Sequence, residues 1–302
     1  MKVLLGGGTG FVGKHLRKLL VDNGYKVTVV SRQPGPDRLT WKDISRDGIP
    51  EDVTAVVNVA GENILNPLKR WNESFKQAVR SSRIDTTKLL ADAIVNATNK
   101  PNVFATISGV AIYMPIHKYG YREVDTSPPY DFLSDLTHDW EIAAKLPESV
   151  KTRQVVVRSG VVLGRDGGMI RQIYYPFFFN VGGTITLSGA QWFPWIHVDD
   201  ITGIFLHAIK NDNVTGVLNG VAPDAITNYE FTKAFAKEMW RLSHLPIPGF
   251  VMKGLYGSER AKIILQGQRV IPERTVKSGY EYKYPDIISA CQNLAPFFEP
   301  KS

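Results

Sequence analysis

The sequence predicts an α/β fold of the Rossmann type: a doubly wound parallel sheet with a smaller mixed C-terminal substrate lobe. Three observations carry that expectation. Short apolar runs alternate with helix-period segments through the first half of the chain, the pattern of a parallel sheet covered by helices. A glycine-rich turn follows the first apolar run and opens the first helical segment. Beyond Leu163 the texture changes to glycine pairs, clustered aromatics and prolines, which suits a less regular lobe.

Taken in order, residues 2–5 are apolar and run straight into glycines, as a buried strand meeting a turn does. In residues 11–23 Phe11, Val12, Leu16, Leu19 and Leu20 share one helical face, and Gly24 stands where a helix-ending glycine belongs. Residues 26–30 and 55–60 read as further strands. Residues 71–96 read as one long helix, closed by the punctuation from Asn99 to Pro101. Residues 103–107 and 154–158 are strand-like and residues 132–146 helical. The aromatics from Tyr174 to Trp195 suggest irregular structure lining an apolar pocket. The expected division is therefore a dinucleotide-binding domain over residues 1–165 and a substrate lobe over 166–302. That boundary is soft, because strands of the first domain can recur within residues 195–220.

Bulk properties narrow the function classes. A chain of 302 residues accommodates a large α/β domain, or one domain with a smaller lobe. The formal charge of +7 comes from scattered residues with no run of five like charges, so nucleic-acid binding is not expected. The only cysteine, Cys291, permits no intrachain disulfide and suits a reducing compartment. No apolar run approaches the ~18 residues that would span a bilayer. The first strand begins at Lys2, so no leader is expected ahead of it and the expected location is intracellular, cytoplasmic before any organelle. No metal is expected, since the histidines and carboxylates lack ligand spacing. Nor is there a Gly-x-Ser-x-Gly nucleophile turn.

The turn carries Gly7, Gly10 and Gly13 at three-residue spacing. A tight turn needs positive φ, close approach to a pyrophosphate needs no Cβ, and helix-on-strand packing needs a small third residue. The helix that opens at Gly10 and Phe11 turns its free N–H groups toward the phosphates. Strand, turn, helix and second strand all fall within thirty residues, the context that gives the motif meaning. At the end of the second strand an acidic residue would hold the ribose hydroxyls of NAD. This chain has Ser31 and Arg32 instead, a hydroxyl donor and a guanidinium suited to a 2′-phosphate. The expected cofactor is NADP(H).

These glycines, the strand end Asn58-Val59-Ala60-Gly61 and the segment from Ser108 to Tyr113 together resemble the extended short-chain dehydrogenase/reductases. Gly61-Glu62-Asn63-Ile64, Arg70-Trp71-Asn72, Asp139-Trp140-Glu141 and Trp195-Ile196-His197-Val198-Asp199-Asp200 are similar to an atypical branch, the epimerase-family proteins. The tail from Leu245 resembles the small C-terminal domain of unknown function that this branch carries. The resemblance places Gly7, Thr9, Gly10, Phe11 and Val12 at the pyrophosphate, and Ser31 and Arg32 at the 2′-phosphate. It places Val59, Ala60 and Gly61 along the ribose, and Arg83 within reach of the cofactor. Ser159, Gly160 and Val161 would lie near the nicotinamide. It also implies a homodimer formed through the helices over 71–96 and 132–146.

Hydride chemistry in that superfamily uses a tyrosine, a lysine four residues on, and a serine. The positive charge is needed because a free phenol titrates near pH ~10. Here Tyr-x-x-x-Lys occurs only at Tyr229 and Lys233, which fit an ordinary helix. In the family's frame the three positions hold Leu133, Thr137 and Gly109, so the usual set is absent. Ser108 and Tyr113 are the candidate substitutes, with Glu62, His138 and His197 as other titratable groups. His197 reads as structural, held by a neighbouring carboxylate. Two functions stay open: an NADP(H)-dependent oxidoreductase acting on a small-molecule substrate that the sequence does not identify, or a catalytically silent NADP(H) sensor.

Overall fold

The computed structural model describes residues 1–66, 68–185, 188–242 and 246–295. Seven strands form its central sheet: β1 (Lys2–Gly6), β2 (Lys26–Ser31), β3 (Arg38–Thr40), β4 (Ala55–Asn58), β5 (Val103–Gly109), β6 (Arg153–Ser159) and β7 (Gly216–Gly220). Their order is β7-β6-β5-β4-β1-β2-β3, and every neighbouring pair is parallel. Chain order therefore reverses between β1 and β4, leaving a crevice at their carboxyl ends where such sheets bind ligands.

Both faces of the sheet are covered, which is why its strands are apolar throughout rather than alternating. Successive side chains point to opposite faces. Val3, Leu5, Val57, Ala105 and Val157 pack on helices α1 (Phe11–Asp22) and α7 (Val198–Lys210) through Leu16, Leu20, Ile201 and Phe205. On the other face Leu4, Val30, Val56 and Phe104 meet Ile44 of α2 (Trp41–Asp47) and Leu90 and Ile94 of α4 (Ile84–Asn96). Gly24, at φ +81°, follows the last residues of α1 as the glycine spacing predicts.

Two expectations are corrected. The single helix over residues 71–96 is two helices, α3 (Glu73–Ser81) and α4, broken at Ser82 and Arg83. The break is made by bonds from a distant loop: Ser82 Oγ accepts from Glu62 N at 2.9 Å, and Arg83 donates to Glu62 O at 2.9 Å and to Val79 O at 3.1 Å. The aromatic run after Leu163 is not irregular throughout either. Helix α6 (Gly168–Phe178) buries Tyr174 and Phe177 in the lobe's own core with Phe231, Phe235 and Leu294. Of that run only Trp192 and Phe193 line the cleft described below.

The lobe is joined to the sheet domain at α7. The buried Asp200 carboxylate accepts from Tyr280 OH at 3.0 Å, Lys283 N at 2.7 Å and Tyr284 N at 3.0 Å. Among the described residues no helix is long and apolar enough to cross a membrane.

Candidate functional site

The glycine turn sits at the sheet crevice, and each glycine answers a distinct steric demand. Gly7 adopts φ +79°, and a Cβ there would stand 2.6 Å from Ala60 Cα. A Cβ on Gly13 would stand 2.1 Å from Gly7 O, so the helix rests directly on the turn. Gly10 caps α1 with no side-chain acceptor, and Thr9 and Gly10 are exposed. The first-turn N–H groups are thus left without a side-chain cap, the arrangement that suits an anion. Phe11 closes the turn from the far side. Cβ atoms on Gly164, Gly167 or Gly168 would all meet its ring at 3.0 Å or less, which explains the glycines after Leu163 as a packing requirement. Val12 packs against the sheet core.

At the end of β2, Arg32 is largely free, its side chain 83% exposed and 3.5 Å from the Glu62 carboxylate. Ser31 is buried, and its hydroxyl is turned into its own loop, donating to Gln33 O at 2.5 Å. The basic contribution at this corner therefore rests on Arg32. Asn58 is buried under the turn: its Oδ1 accepts from Ala60 N at 3.1 Å and its Nδ2 donates to Thr87 Oγ1 at 2.9 Å. It shapes the Val59–Ala60 backbone that the turn rests on, with Gly61 beside it. Arg83 approaches from below. A Cβ on Gly61 would stand 3.0 Å from its Cζ, and the guanidinium lies 5.2 Å from the Trp140 ring centre. Burial pulls its pKa down to about 10, against the opposing pull of Glu62, so it stays charged and braces the loop.

The carboxyl ends of β5 and β6 open into a cleft of about 130 Å³. Val110, Leu133 and Val161 line it from the sheet side, and Trp192, Phe193 and Ile263 from the lobe. A Cβ on Gly109 would stand 3.9 Å from Thr137 Oγ1, so the fold brings together the positions that the family frame equates with serine and lysine. Thr137 spends its hydroxyl on Leu133 O at 2.7 Å. Gly160 is pressed against Pro194, and Val161 N donates to Pro194 O at 2.7 Å. Ser159 Oγ bonds Gly160 O at 2.9 Å.

Ser108 and Tyr113, the expected acid/base substitutes, do not line this cleft. Both belong to a buried polar network beneath it. Ser108 Oγ donates to Glu141 Oε1 at 2.8 Å. Glu141 holds Arg158 through two bonds, 2.8 and 2.9 Å. Arg158 donates to Tyr113 OH at 2.7 Å, which donates to Asn219 Oδ1 at 2.9 Å. Tyr113 has no exposed surface, and burial pushes its phenol up to about 12, against the opposing pull of Arg158. The structure places both residues in this network and not on the cleft wall. Glu141 and Arg158 were the missed partners. The sequence signal was a carboxylate one helical turn beyond Thr137 on α5 (Phe132–Ala143), opposite a strand-end arginine.

The other titratable candidates are also occupied. His138 lies between Ser134 O and Ser127 O at 2.7 and 2.8 Å. Tyr229 and Lys233 stand on an ordinary helix, Asn228–Glu238. His197 is structural, as expected, but its ring accepts from Asp199 N at 3.1 Å and bonds Asn293 Oδ1 at 3.2 Å, with the Asp199 carboxylate only at 4.0 Å. Burial lowers its pKa to about 4 from 6.5. Between those values the unfolded chain binds a proton that the folded one refuses. The His197 contribution to stability is therefore full above pH ~6.5 and declines as pH drops toward 4, with a slope of up to about 1 kcal/mol per unit. Urea midpoints from pH 4.5 to 7.5 should show that slope, and His197→Asn should flatten it.

A second contact missed from the sequence is Arg260 on the helix Ser258–Leu265. It is buried and donates to Ile64 O at 3.3 Å and Asn66 O at 3.0 Å. The lobe thereby fixes the loop that carries Glu62.

Residues 3–219 match the model of the NAD dependent epimerase/dehydratase family, and residues 247–294 that of a domain of unknown function (DUF1731). The human epimerase family protein SDR39U1 is 48% identical over 294 residues, covering 97% of this chain and 99% of that protein. The crystal structure of human SDR39U1 (isoform 2) with NADPH superposes with a TM-score of 0.95, over 98% of this chain and 99% of that one. UDP-glucuronic acid 4-epimerase from Bacillus cereus, solved with UDP-glucuronic acid and NAD, has a TM-score of 0.75 at 15% identity over 98% of each chain. That last likeness is one of fold.

Proposed function

We propose that this chain, which belongs to the NAD dependent epimerase/dehydratase family, is an NADP(H)-dependent oxidoreductase for a small carbonyl or hydroxyl compound. The observation that carries this reading is a phosphate-ready glycine turn sharing one sheet edge with an apolar cleft. The relative solved with NADPH supports the cofactor, since it matches this chain over nearly its whole length. The residues fit the group: the backbone packing at Gly7 and Gly13 holds the turn tight, the α1 N-terminus at Gly10 carries no side-chain cap, and Arg32 offers an exposed guanidinium at the ribose corner.

Bound there, NADPH supplies a hydride. Gly10 and its first-turn N–H groups hold the pyrophosphate, and Arg32 the 2′-phosphate. Leu133, Val110 and Val161 exclude bulk water around the reacting carbonyl. Leu133 and Thr137 give neither phenol nor ammonium, so those two positions would offer no positioned donor for the proton that completes the alcohol. The rate is expected to be modest, because a positioned acid is worth about 10²–10⁴-fold.

Glu62 opposes the incoming phosphate charge and holds Arg32. Glu62→Gln should tighten NADPH about 2- to 5-fold, the worth of an exposed ion pair, and leave NADH nearly unchanged in parallel titrations. Turnover is tested by following NADPH absorbance with a panel of aromatic and aliphatic aldehydes. Loss faster than the protein-free control supports the reductase. Tight NADPH binding with no loss over hours favours the second reading, a cofactor sensor, to which Leu133 in place of an acid points.

A further inference from the structure

We infer that the cleft takes a mainly apolar compound carrying one anionic group, with Lys262 as the counter-charge at its mouth. This rests on the functional reading only in treating the cleft as the substrate site.

Most polar side chains on the cleft wall are spent on the wall itself. Gln268 Nε2 donates to Tyr113 O at 3.0 Å and Tyr130 OH at 3.3 Å. Tyr130 OH donates in turn to Tyr113 O at 3.0 Å. Gln191 Nε2 donates to Ile264 O at 3.4 Å, and Asn228 Oδ1 accepts from Ile185 N at 2.9 Å. Asp131 caps α5 through Ser134 N at 2.9 Å. What these groups leave facing the space is largely hydrocarbon, which selects apolar ligand surface.

Lys262 and Gln266 are the exceptions, and Lys262 is the charged one. It lines the cleft from the helix Ser258–Leu265 and is exposed. Among the described residues its ammonium has no hydrogen bond or close ion pair, and its charge acts on Glu259 from a longer distance. The neighbouring carboxylate on that helix, Glu259, is taken by Lys76 at 2.9 Å and by the Trp71 indole. Lys262 is the one cationic side chain lining the described cleft, and Asp131 the one anionic side chain. The two repel and attract in a sense that orients a ligand. Its charged end faces Lys262, and its apolar body passes Ile263 and Trp192 toward Val110 and Leu133. A nucleoside diphosphate is disfavoured, because its two phosphates call for several cationic or guanidinium donors where this wall offers one point charge.

The test is calorimetric titration of 2-naphthoate, its neutral isostere 2-naphthamide, and UDP into wild type, Lys262→Met and Lys262→Arg, each with and without NADPH. Wild type should bind naphthoate about 3- to 5-fold more tightly than the amide, the range for a solvent-accessible ion pair. Lys262→Met should erase that difference while keeping amide affinity, and Lys262→Arg should retain it. Equal binding of acid and amide by wild type overturns the inference, as does UDP binding more tightly than naphthoate. Failure of NADPH to bind would instead remove the functional reading. The acid-against-amide comparison on the cofactor-free protein would still decide this one.

Discussion

Arg158→Leu is expected to destabilise the protein by about 3–5 kcal/mol, the cost of stranding one partner of a buried ion pair. The guanidinium holds both oxygens of Glu141 and the hydroxyl of Tyr113. Its removal leaves the half-buried Glu141 carboxylate with Ser108 alone among these partners, in a medium that penalises unpaired charge. At about 1.6 °C per kcal/mol for a chain of 302 residues, the melting temperature should fall by roughly 5–8 °C. Replacing Glu141 by leucine as well should restore part of the loss, since a well-packed apolar pair often matches a buried ionic one. A loss below ~1 kcal/mol in urea titrations would mean that the network carries little. Ser108 and Tyr113 belong to the same network, so substitutions there should show first in stability.

Gly7→Ala should abolish measurable NADPH binding, a loss of at least ~100-fold. The residue sits at φ +79°, and its new methyl would lie 2.6 Å from Ala60 Cα and 2.7 Å from Ala60 N. Both obstacles are backbone, so no rotamer change relieves them. The strain alone is of order 1–3 kcal/mol, and relief requires moving the turn off the phosphates it would hold. Gly24 provides the control. It too has positive φ, at +81°, but a Cβ there meets nothing within 4 Å. Gly24→Ala should therefore cost only the left-handed backbone penalty, about 1–2 kcal/mol of stability, and leave NADPH affinity intact. Calorimetry on the two variants separates a generic glycine effect from one specific to the turn.

How much of this was legible in the sequence follows from the range of the forces involved. The strands, α1 and the glycine turn are set by residues within thirty positions of each other, and their local pattern located them. The helix break at Ser82 and Arg83 is imposed by Glu62, twenty residues away in the chain, and local periodicity has no access to it. Ser108 and Tyr113 were singled out for their chemistry and their place in a motif. Their burial depends on Glu141, Arg158 and Asn219, which come from three separate elements. The aromatics after Leu163 divided between lobe core, surface and cleft for the same reason. Lys262 and Arg260 gave no signal, because a lysine and an arginine on a short amphipathic helix look alike until the helix is docked. Here one clamps a loop from a buried position and the other stands free at the cleft.

The central claim, a site selective for the 2′-phosphorylated dinucleotide, is tested most directly by titrating NADPH and NADH into wild type and Arg32→Ala by calorimetry. The account predicts that wild type prefers NADPH by about 10- to 100-fold, the range of a charge-assisted hydrogen bond. Arg32→Ala should lose that preference and keep its NADH affinity. Equal affinity of wild type for the two dinucleotides, or a preference that survives in Arg32→Ala, would contradict it.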